Sequence, residues 1–173
     1  MVNADSTGSQ QAPGDLERVR ELLNSWLIPN DTRRPTDLYD DYARAQRLTP
    51  RHARPLRKLR DDLRAVVERA PDADARLNRW STELDVRVVI RDGRLEFDHA
   101  RGPAGAMFHH VLAAIADGTW QRLKSCPDCH WVHYDHTRNR SKRWCLMNAG
   151  GPSGRACGTI AKVTRYRQVH ADD

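Results

Sequence analysis

Four cysteines near the C-terminus constrain the fold of this chain more than any other feature. They are the only cysteines among 173 residues, and two, fifteen and eleven residues separate Cys126, Cys129, Cys145 and Cys157 in turn. A Cys-x-x-Cys turn brings two thiolates to one side of the chain, and two distant cysteines complete the four ligands of a structural zinc ion. A small module buries too little apolar surface to fold alone, so metal binding would supply on the order of 10 kcal/mol of its folding free energy. The spacing predicts one Zn²⁺ per chain.

Other chemistries of a Cys-x-x-Cys pair fit this sequence less well. Cys126, Cys129 and His130 match the haem attachment pattern, but haem attachment requires export and leaves Cys145 and Cys157 unexplained. A thioredoxin-type pair opens a helix, whereas "HWVHYD" after Cys129 is typical of a strand. Ligation of an iron–sulfur cluster by four cysteines stays chemically open.

Three histidines beside the cysteines offer an alternative fourth ligand. His130, His133 and His136 lie within the same segment, and alternation along the predicted strand places His130 and Val132 on one face. Because the four cysteines already complete a tetrahedron, we expect these histidines to be surface or partly buried residues.

The basic charge of the chain is concentrated around the cysteines. Residues 122–170 hold ten Lys and Arg against two acidic residues, a net charge of +8, whereas the remaining 19 basic and 21 acidic residues give −2. This asymmetry favours a polyanionic partner such as nucleic acid, although a solvated basic face is the simpler alternative.

The N-terminus resembles neither a leader nor an anchor. Residues 1–14 are polar and contain Gly and Pro, which predicts disorder. They lack the basic and apolar regions of a secretory signal, and no run of eighteen apolar residues follows. We therefore expect no membrane association and a cytoplasmic location, where clustered cysteines bind metal more often than they form disulfides.

Hydrophobic periodicity predicts helices before the cysteines. The predicted helices cover residues 15–27, 37–48, 50–70, 74–84 and 104–117. Pro55 is expected to delay the start of regular helix in the third of them. Asp92-Gly93 between two apolar runs predicts a β-hairpin.

The predicted fold is α+β in two parts. A mostly helical N-terminal domain with one β-hairpin occupies residues 15–121. A small, treble-clef-like four-cysteine zinc module follows at residues 122–170, and a helix beginning at Cys157 closes it. We expect Trp131, Tyr134 and Trp144 to form the core of this module.

The module resembles a known family, the CGNR zinc finger. The resemblance rests on "CPDCHWVHYDHTRNRSKRWC", on the later "CG" and on "AKVTRYR". The matching residues are Cys126, Cys129, Asp135, Thr137, Arg138, Asn139, Ser141, Lys142, Arg143, Trp144, Cys145, Cys157, Gly158, Ala161, Lys162, Arg165, Tyr166 and Arg167.

The resemblance implies a fold and a function for the whole chain. The family's N-terminal ABATE domain corresponds to the helices and hairpin of residues 15–121, and it is associated with stress-induced bacterial transcription regulators. Two departures stand out: Thr159-Ile160 replaces the family's Asn-Arg, and residues 146–156 form a longer loop. A role that depends on that Asn-Arg pair is therefore not expected here.

The sequence therefore predicts a zinc-finger DNA-binding protein that regulates transcription. The predicted DNA-contacting residues are Arg138, Asn139, Arg140, Lys142, Arg143, Lys162, Arg165 and Arg167. The alternative is a zinc-stapled module that binds a protein or senses a ligand, and a small-molecule or protein partner of the N-terminal domain stays open. We do not expect an enzyme, because four cysteines leave a zinc ion no open position and no nucleophile or nucleotide-binding motif is present.

Overall fold

Six α-helices form most of the regular structure in the computed structural model, which describes residues 10–29, 32–146 and 156–169. They are α1 (Leu16–Leu23), α2 (Tyr39–Ala45), α3 (Pro50–Val67), α4 (Ala73–Glu83), α5 (Pro103–Ala116) and α6 (Cys157–Val169).

Three antiparallel strand pairs accompany the helices in these ranges. They are β1 (Trp26–Leu27) with β2 (Thr36–Asp37), β3 (Arg87–Arg91) with β4 (Arg94–Asp98), and β5 (Leu123–Ser125) with β6 (Val132–Tyr134). The predicted class, a mostly helical α+β fold followed by a four-cysteine module, is confirmed.

The hydrophobic core lies where α1, α3 and α5 meet. Val19, Leu22, Leu59, Leu63 and Phe108 are all fully buried there. Each such side chain contributes roughly 1.5–3 kcal/mol by leaving water. Three residues of the last hairpin join the same core, namely Leu123, Val132 and Tyr134. The two strands of this hairpin lie on either side of the first two cysteines in the sequence. The hairpin therefore packs directly against the helices.

The first predicted helix is too long. Helix α1 ends at Leu23, and Trp26–Leu27 instead pairs with Thr36–Asp37 as a short strand. Ser25 turns the chain at this point, because its hydroxyl donates to the Leu22 carbonyl over 2.6 Å. These contacts outweigh the helical spacing of Trp26 and Leu27.

Pro55 does not delay helix α3, contrary to the sequence-based expectation. The helix begins at Pro50, a favourable first position, and runs to Val67 with Pro55 inside it. Pro55 removes a single hydrogen bond, the one to the Arg51 carbonyl, within the first two turns.

The central hairpin forms at the predicted turn. Asp92 and Gly93 have φ of 49° and 73°, the left-handed values that a two-residue type I′ turn requires. The partners Val88 and Phe97, and Ile90 and Leu95, share one face of this hairpin.

The sequence predicts disorder over residues 1–14, and this prediction extends too far along the chain. Residues 1–9 lie outside the described residues, but Gln10 and Ala12 are buried. The Gln10 side chain accepts a hydrogen bond from Trp131 Nε1 over 2.9 Å and donates to the Cys145 carbonyl over 3.2 Å. Contacts to the cysteine module thus order a segment whose composition alone predicts disorder.

Candidate metal centre and basic surface

The four cysteines converge on one point. Their sulfur atoms all lie within 4.8 Å of one another, and all four residues are buried. The Sγ atoms of Cys129 and Cys145 are 3.6 Å apart, and those of Cys145 and Cys157 are 3.7 Å apart. These separations exceed the S–S bond length of about 2.05 Å, so the thiols are free.

The donor set fits one Zn²⁺. Tetrahedral coordination with Zn–S bonds of about 2.3 Å places neighbouring sulfur atoms roughly 3.8 Å apart, close to the two observed separations. Trp131, Trp144 and Leu146 pack against the cluster and shield it from water. The prediction of one zinc ion bound by Cys126, Cys129, Cys145 and Cys157 is thus consistent with the geometry.

Two of the three neighbouring histidines are engaged in hydrogen bonds away from the metal-binding group. His130 Nδ1 lies 3.0 Å from Glu68 Oε1, and His136 Nε2 lies 2.8 Å from the Gln11 carbonyl oxygen. His133 is fully buried rather than partly exposed, and burial lowers its pKa to about 4. No histidine belongs to the metal-binding group in the described part of the chain.

The surroundings of the thiols couple metal binding to proton release. Burial and the negative charge of Cys126 and Cys129 raise the pKa of the Cys157 thiol, and hydrogen bonds with Cys126 and Cys129 raise the pKa of Cys145. A divalent cation at the centre opposes these effects because it favours the thiolate form. Zinc affinity is therefore expected to fall as pH falls.

The helical region holds the Cys-x-x-Cys turn in place through Arg64. This buried side chain donates to the carbonyls of Leu23, Trp26 and His130 over 2.7, 3.0 and 3.0 Å. Its charge is balanced by Glu68 Oε1, 3.1 Å away. His130 adopts φ of 56°, a left-handed conformation that this hydrogen bonding helps to stabilise.

Asn24 fixes strand β6 in the same way. Its side-chain oxygen accepts from the Val132 amide over 2.7 Å, and its side-chain nitrogen donates to the Val132 carbonyl over 2.9 Å. Sequence reasoning assigned no role to Arg64 or Asn24, because their partners in the cysteine module lie 66 and 108 residues away along the chain.

Asp135 organises the basic loop that precedes Cys145. It is fully buried, and its carboxylate accepts hydrogen bonds from Lys124 Nζ over 2.6 Å and from the Lys142 amide over 2.9 Å. Thr137 adds bonds from its amide and its hydroxyl, over 2.9 and 2.6 Å. Burial alone would raise the pKa of Asp135, but the bonds from Lys124 and Thr137 outweigh it and hold this pKa below its usual value.

The predicted DNA-contacting residues lie on the surface beside the metal cluster. Lys142 is half-buried, and the other seven are exposed, namely Arg138, Asn139, Arg140, Arg143, Lys162, Arg165 and Arg167. Five belong to the loop held by Asp135 and three to helix α6, and these two segments adjoin Cys145 and Cys157.

Arg122 and Lys124, two of the ten basic residues in this region, have partners inside the loop, and Arg140 donates to Gln121 Oε1 over 2.8 Å. Arg122 donates to the carbonyls of Asp135 and Thr137, each over 2.9 Å, and Lys124 pairs with Asp135. They help to build the loop, so the net charge of +8 overstates the charge that the loop and helix present to a partner. Arg155 lies outside the described residues.

The predicted aromatic core is divided between two clusters. Trp131 and Trp144 pack against the cysteines as expected, whereas Tyr134 belongs to the main core of the helical region. Strand β6 begins at Val132, and all three of its residues are buried. Val132 and Tyr134 share the face that joins the main core, and His133 is buried on the other face, whereas His130 and Trp131 precede the strand.

One curated protein shows a partial similarity to the chain. Over 116 residues, or 66% of this chain, the sequence is 28% identical to the magnesium transporter ALR1 of Saccharomyces cerevisiae. That stretch spans 13% of the transporter, so the chain covers a small part of its relative's length. None of the helices in the described ranges is both long enough and apolar enough to cross a membrane.

The cysteine module matches a protein family. The model of the CGNR zinc finger covers residues 122–170, a segment that contains the four cysteines, the Asp135 loop and helix α6. The match agrees with the resemblance drawn from the sequence motifs and with the geometry of the four sulfur atoms. Residues 122–170 of this chain thus resemble a CGNR zinc finger both in sequence and in the arrangement of the four cysteines.

Proposed function

We propose that the zinc finger binds duplex DNA and that the protein regulates transcription. The observation that carries this proposal is the loop of residues 138–143, which presents Arg138, Arg140 and Arg143 to solvent on a backbone held by buried Asp135. A loop fixed in this way loses little conformational freedom on binding, which favours recognition of a regular array of phosphates. Helix α6, which begins at Cys157, adds Lys162, Arg165 and Arg167.

A second candidate function is a protein-interaction or ligand-sensing module in which zinc acts only as a staple. It is favoured by apolar side chains on the same exposed helix, because Ile160, Val163 and Tyr166 are 36%, 43% and 65% exposed. We propose no catalytic role for the metal, since four cysteine ligands leave no position for a substrate or an activated water.

The test is binding of a mixed-sequence duplex by fluorescence anisotropy across a series of salt concentrations. Non-specific binding should appear by roughly 100 µM protein at low salt. If about five cations contact phosphates, log K should fall with log salt at a slope of roughly −4 to −5.

Paired variants identify the residues involved. Arg143→Ala with Arg165→Ala should weaken binding and flatten the slope by about two. Arg51→Ala with Arg94→Ala removes the same charge from exposed positions outside the zinc finger and should leave the slope unchanged. Absence of binding by zinc-loaded protein would favour the interaction module. Sequence preference would be sought next at Arg138, Asn139 and Arg140.

A further inference from the structure

A cleft of about 730 Å³ separates the C-terminal end of helix α3 from the zinc finger. The helical side contributes Glu68 and Arg69, strand β5 contributes Ser125, and the basic loop contributes Ser141, Lys142 and Arg143. The cleft is therefore lined by both parts of the molecule, with the Cys-x-x-Cys turn at one edge.

The charge inside this cleft is strongly positive. Arg69, Lys142 and Arg143 all line it, and among the described residues none of the three forms an ion pair. Glu68, the one acidic residue among the described residues that line the cleft, is already neutralised by Arg64 at 3.1 Å. The same carboxylate also accepts a hydrogen bond from Ser125 Oγ over 3.2 Å. Three basic residues thus line one cleft without an ion pair in the described part of the chain, and an anion is the complementary ligand.

We propose that this cleft binds a backbone phosphate of duplex DNA, with Arg69 as a contact contributed by the helical region. The inference rests on the proposed function, and it extends the DNA-binding surface beyond the zinc finger. Lys142 and Arg143 belong to the loop whose neighbouring arginines face solvent, so one strand of DNA laid along the loop meets the cleft at its end. Arg69 then contacts a phosphate from the opposite wall, and DNA binding bridges the two parts of the protein.

The backbone of Arg69 permits a clean test. Arg69 follows the last turn of α3 with φ of 62°, and its amide donates to the Val66 carbonyl while the Ala70 amide donates to the Ala65 carbonyl. This is the Schellman arrangement, in which glycine is the favoured residue. Arg69→Gly therefore removes the guanidinium from a position where glycine fits without strain.

Arg47 provides a matched control. It has φ of 51° at the equivalent position after helix α2, where Arg47 and Leu48 donate to the Arg44 and Ala43 carbonyls. Arg47 is also exposed, and it does not line the cleft. Arg47→Gly makes the same change of charge and backbone away from the proposed site.

The experiment compares wild type, Arg69→Gly, Arg47→Gly and Arg165→Ala on one mixed-sequence duplex across a salt series. Arg69→Gly should weaken binding about fivefold near 0.15 M salt and reduce the magnitude of the salt slope by about 0.9, the effect of one lost phosphate contact. Arg47→Gly should bind as wild type does. Thermal unfolding of both glycine variants verifies that the fold is retained.

The outcomes separate this inference from the proposed function. If Arg69→Gly matches wild type while Arg165→Ala weakens binding, the cleft does not hold a DNA phosphate and the zinc finger still binds DNA. Equal losses in Arg69→Gly and Arg47→Gly would show only a general effect of charge, which also overturns the inference. If wild-type protein does not bind DNA at all, both proposals fail together.

Discussion

Asp135 is the residue on which the basic loop depends most. Its carboxylate is the shared acceptor for Lys124, Thr137 and the Lys142 amide, so one buried charge fixes the position of several cations. Lys124 Nζ also donates to the carbonyls of Arg140 and Lys142. A buried ion pair that loses one partner leaves the other charge without compensation, which is more costly than the loss of an exposed pair.

Replacing Asp135 by asparagine should destabilise the protein by on the order of 3 kcal/mol, because the Lys124 ammonium loses its counter-charge in a partly buried position. Urea unfolding of the zinc-loaded protein measures this change. Asp41→Asn is the control: Asp41 pairs with Arg44 at an exposed position, so its loss should alter stability little. Similar effects of the two substitutions would contradict the role given to Asp135.

The loss of stability caused by Asp135→Asn is expected to depend on pH. The pKa of Asp135 in the folded protein lies below its unfolded value of about 3.9, so the stability it confers is present above that value and lost as pH falls through the folded pKa. The difference in unfolding free energy between wild type and Asp135→Asn should be constant near neutral pH and shrink below about pH 4.

Sequence reasoning identified the residues of this site better than their roles. The resemblance marked Asp135 and Thr137 as motif positions, and cysteine spacing alone indicated the metal ligands. The role of Asp135 depends on Lys124, eleven residues earlier in strand β5, and on Lys142. Tertiary packing brings these side chains together, and the spacing of residues in a sequence motif does not predict such contacts.

At the scale of elements, helix α6 is anchored to the described part of the molecule at its first turn. Cys157 and Gly158 are buried, whereas Thr159 and Ile160 are exposed, as is every residue from Lys162 to Gln168. The Gly158 amide donates to the Leu146 carbonyl over 3.0 Å. An isolated helix of thirteen residues is marginal in water, and the Thr, Ile and Val residues of α6 weaken it further.

Cys157→Ser should therefore release helix α6 while the β5–β6 hairpin stays folded. Amide hydrogen exchange should show lost protection at residues 158–169, with protection at residues 123–134 retained, because Leu123, Val132 and Tyr134 belong to the main core. Stoichiometric zinc binding should also be lost. If zinc of full affinity and protection of α6 both persisted, a histidine would have to supply the fourth ligand.

The elements most reliably predicted were those with a strong local signal. Asp92-Gly93 predicted the central hairpin, and the helix predicted from residue 50 begins at Pro50, since both depend on neighbouring residues alone. The β1–β2 pair was missed because Trp26 and Leu27 continue the apolar spacing of α1. Their strand conformation depends on Arg64, which contacts the Trp26 carbonyl from another helix.

At the scale of the whole molecule, the zinc finger and the helical region share one core. Arg64, Asn24 and Gln10 reach from the helical side to His130, Val132 and Cys145. The β5–β6 hairpin is thus held by packing and hydrogen bonds as well as by metal, whereas the Asp135 loop and α6 lie on its outer side. The part of the zinc finger that depends on zinc is expected to be smaller than the segment matched by the family model.

Removal of zinc by a chelator should cause a limited loss of structure. Helix α6 contributes 13 of the 71 α-helical residues in the described ranges, so ellipticity at 222 nm should fall by about a fifth if this helix alone unfolds. The other five helices contain no metal ligand and carry their own buried apolar faces, which favours their survival. Cys157→Ser, measured in parallel, should begin at the lower ellipticity and change little on chelation. A collapse of the whole helical signal on chelation would mean instead that the shared core makes the two parts a single cooperative unit, with zinc required for the fold of the entire chain.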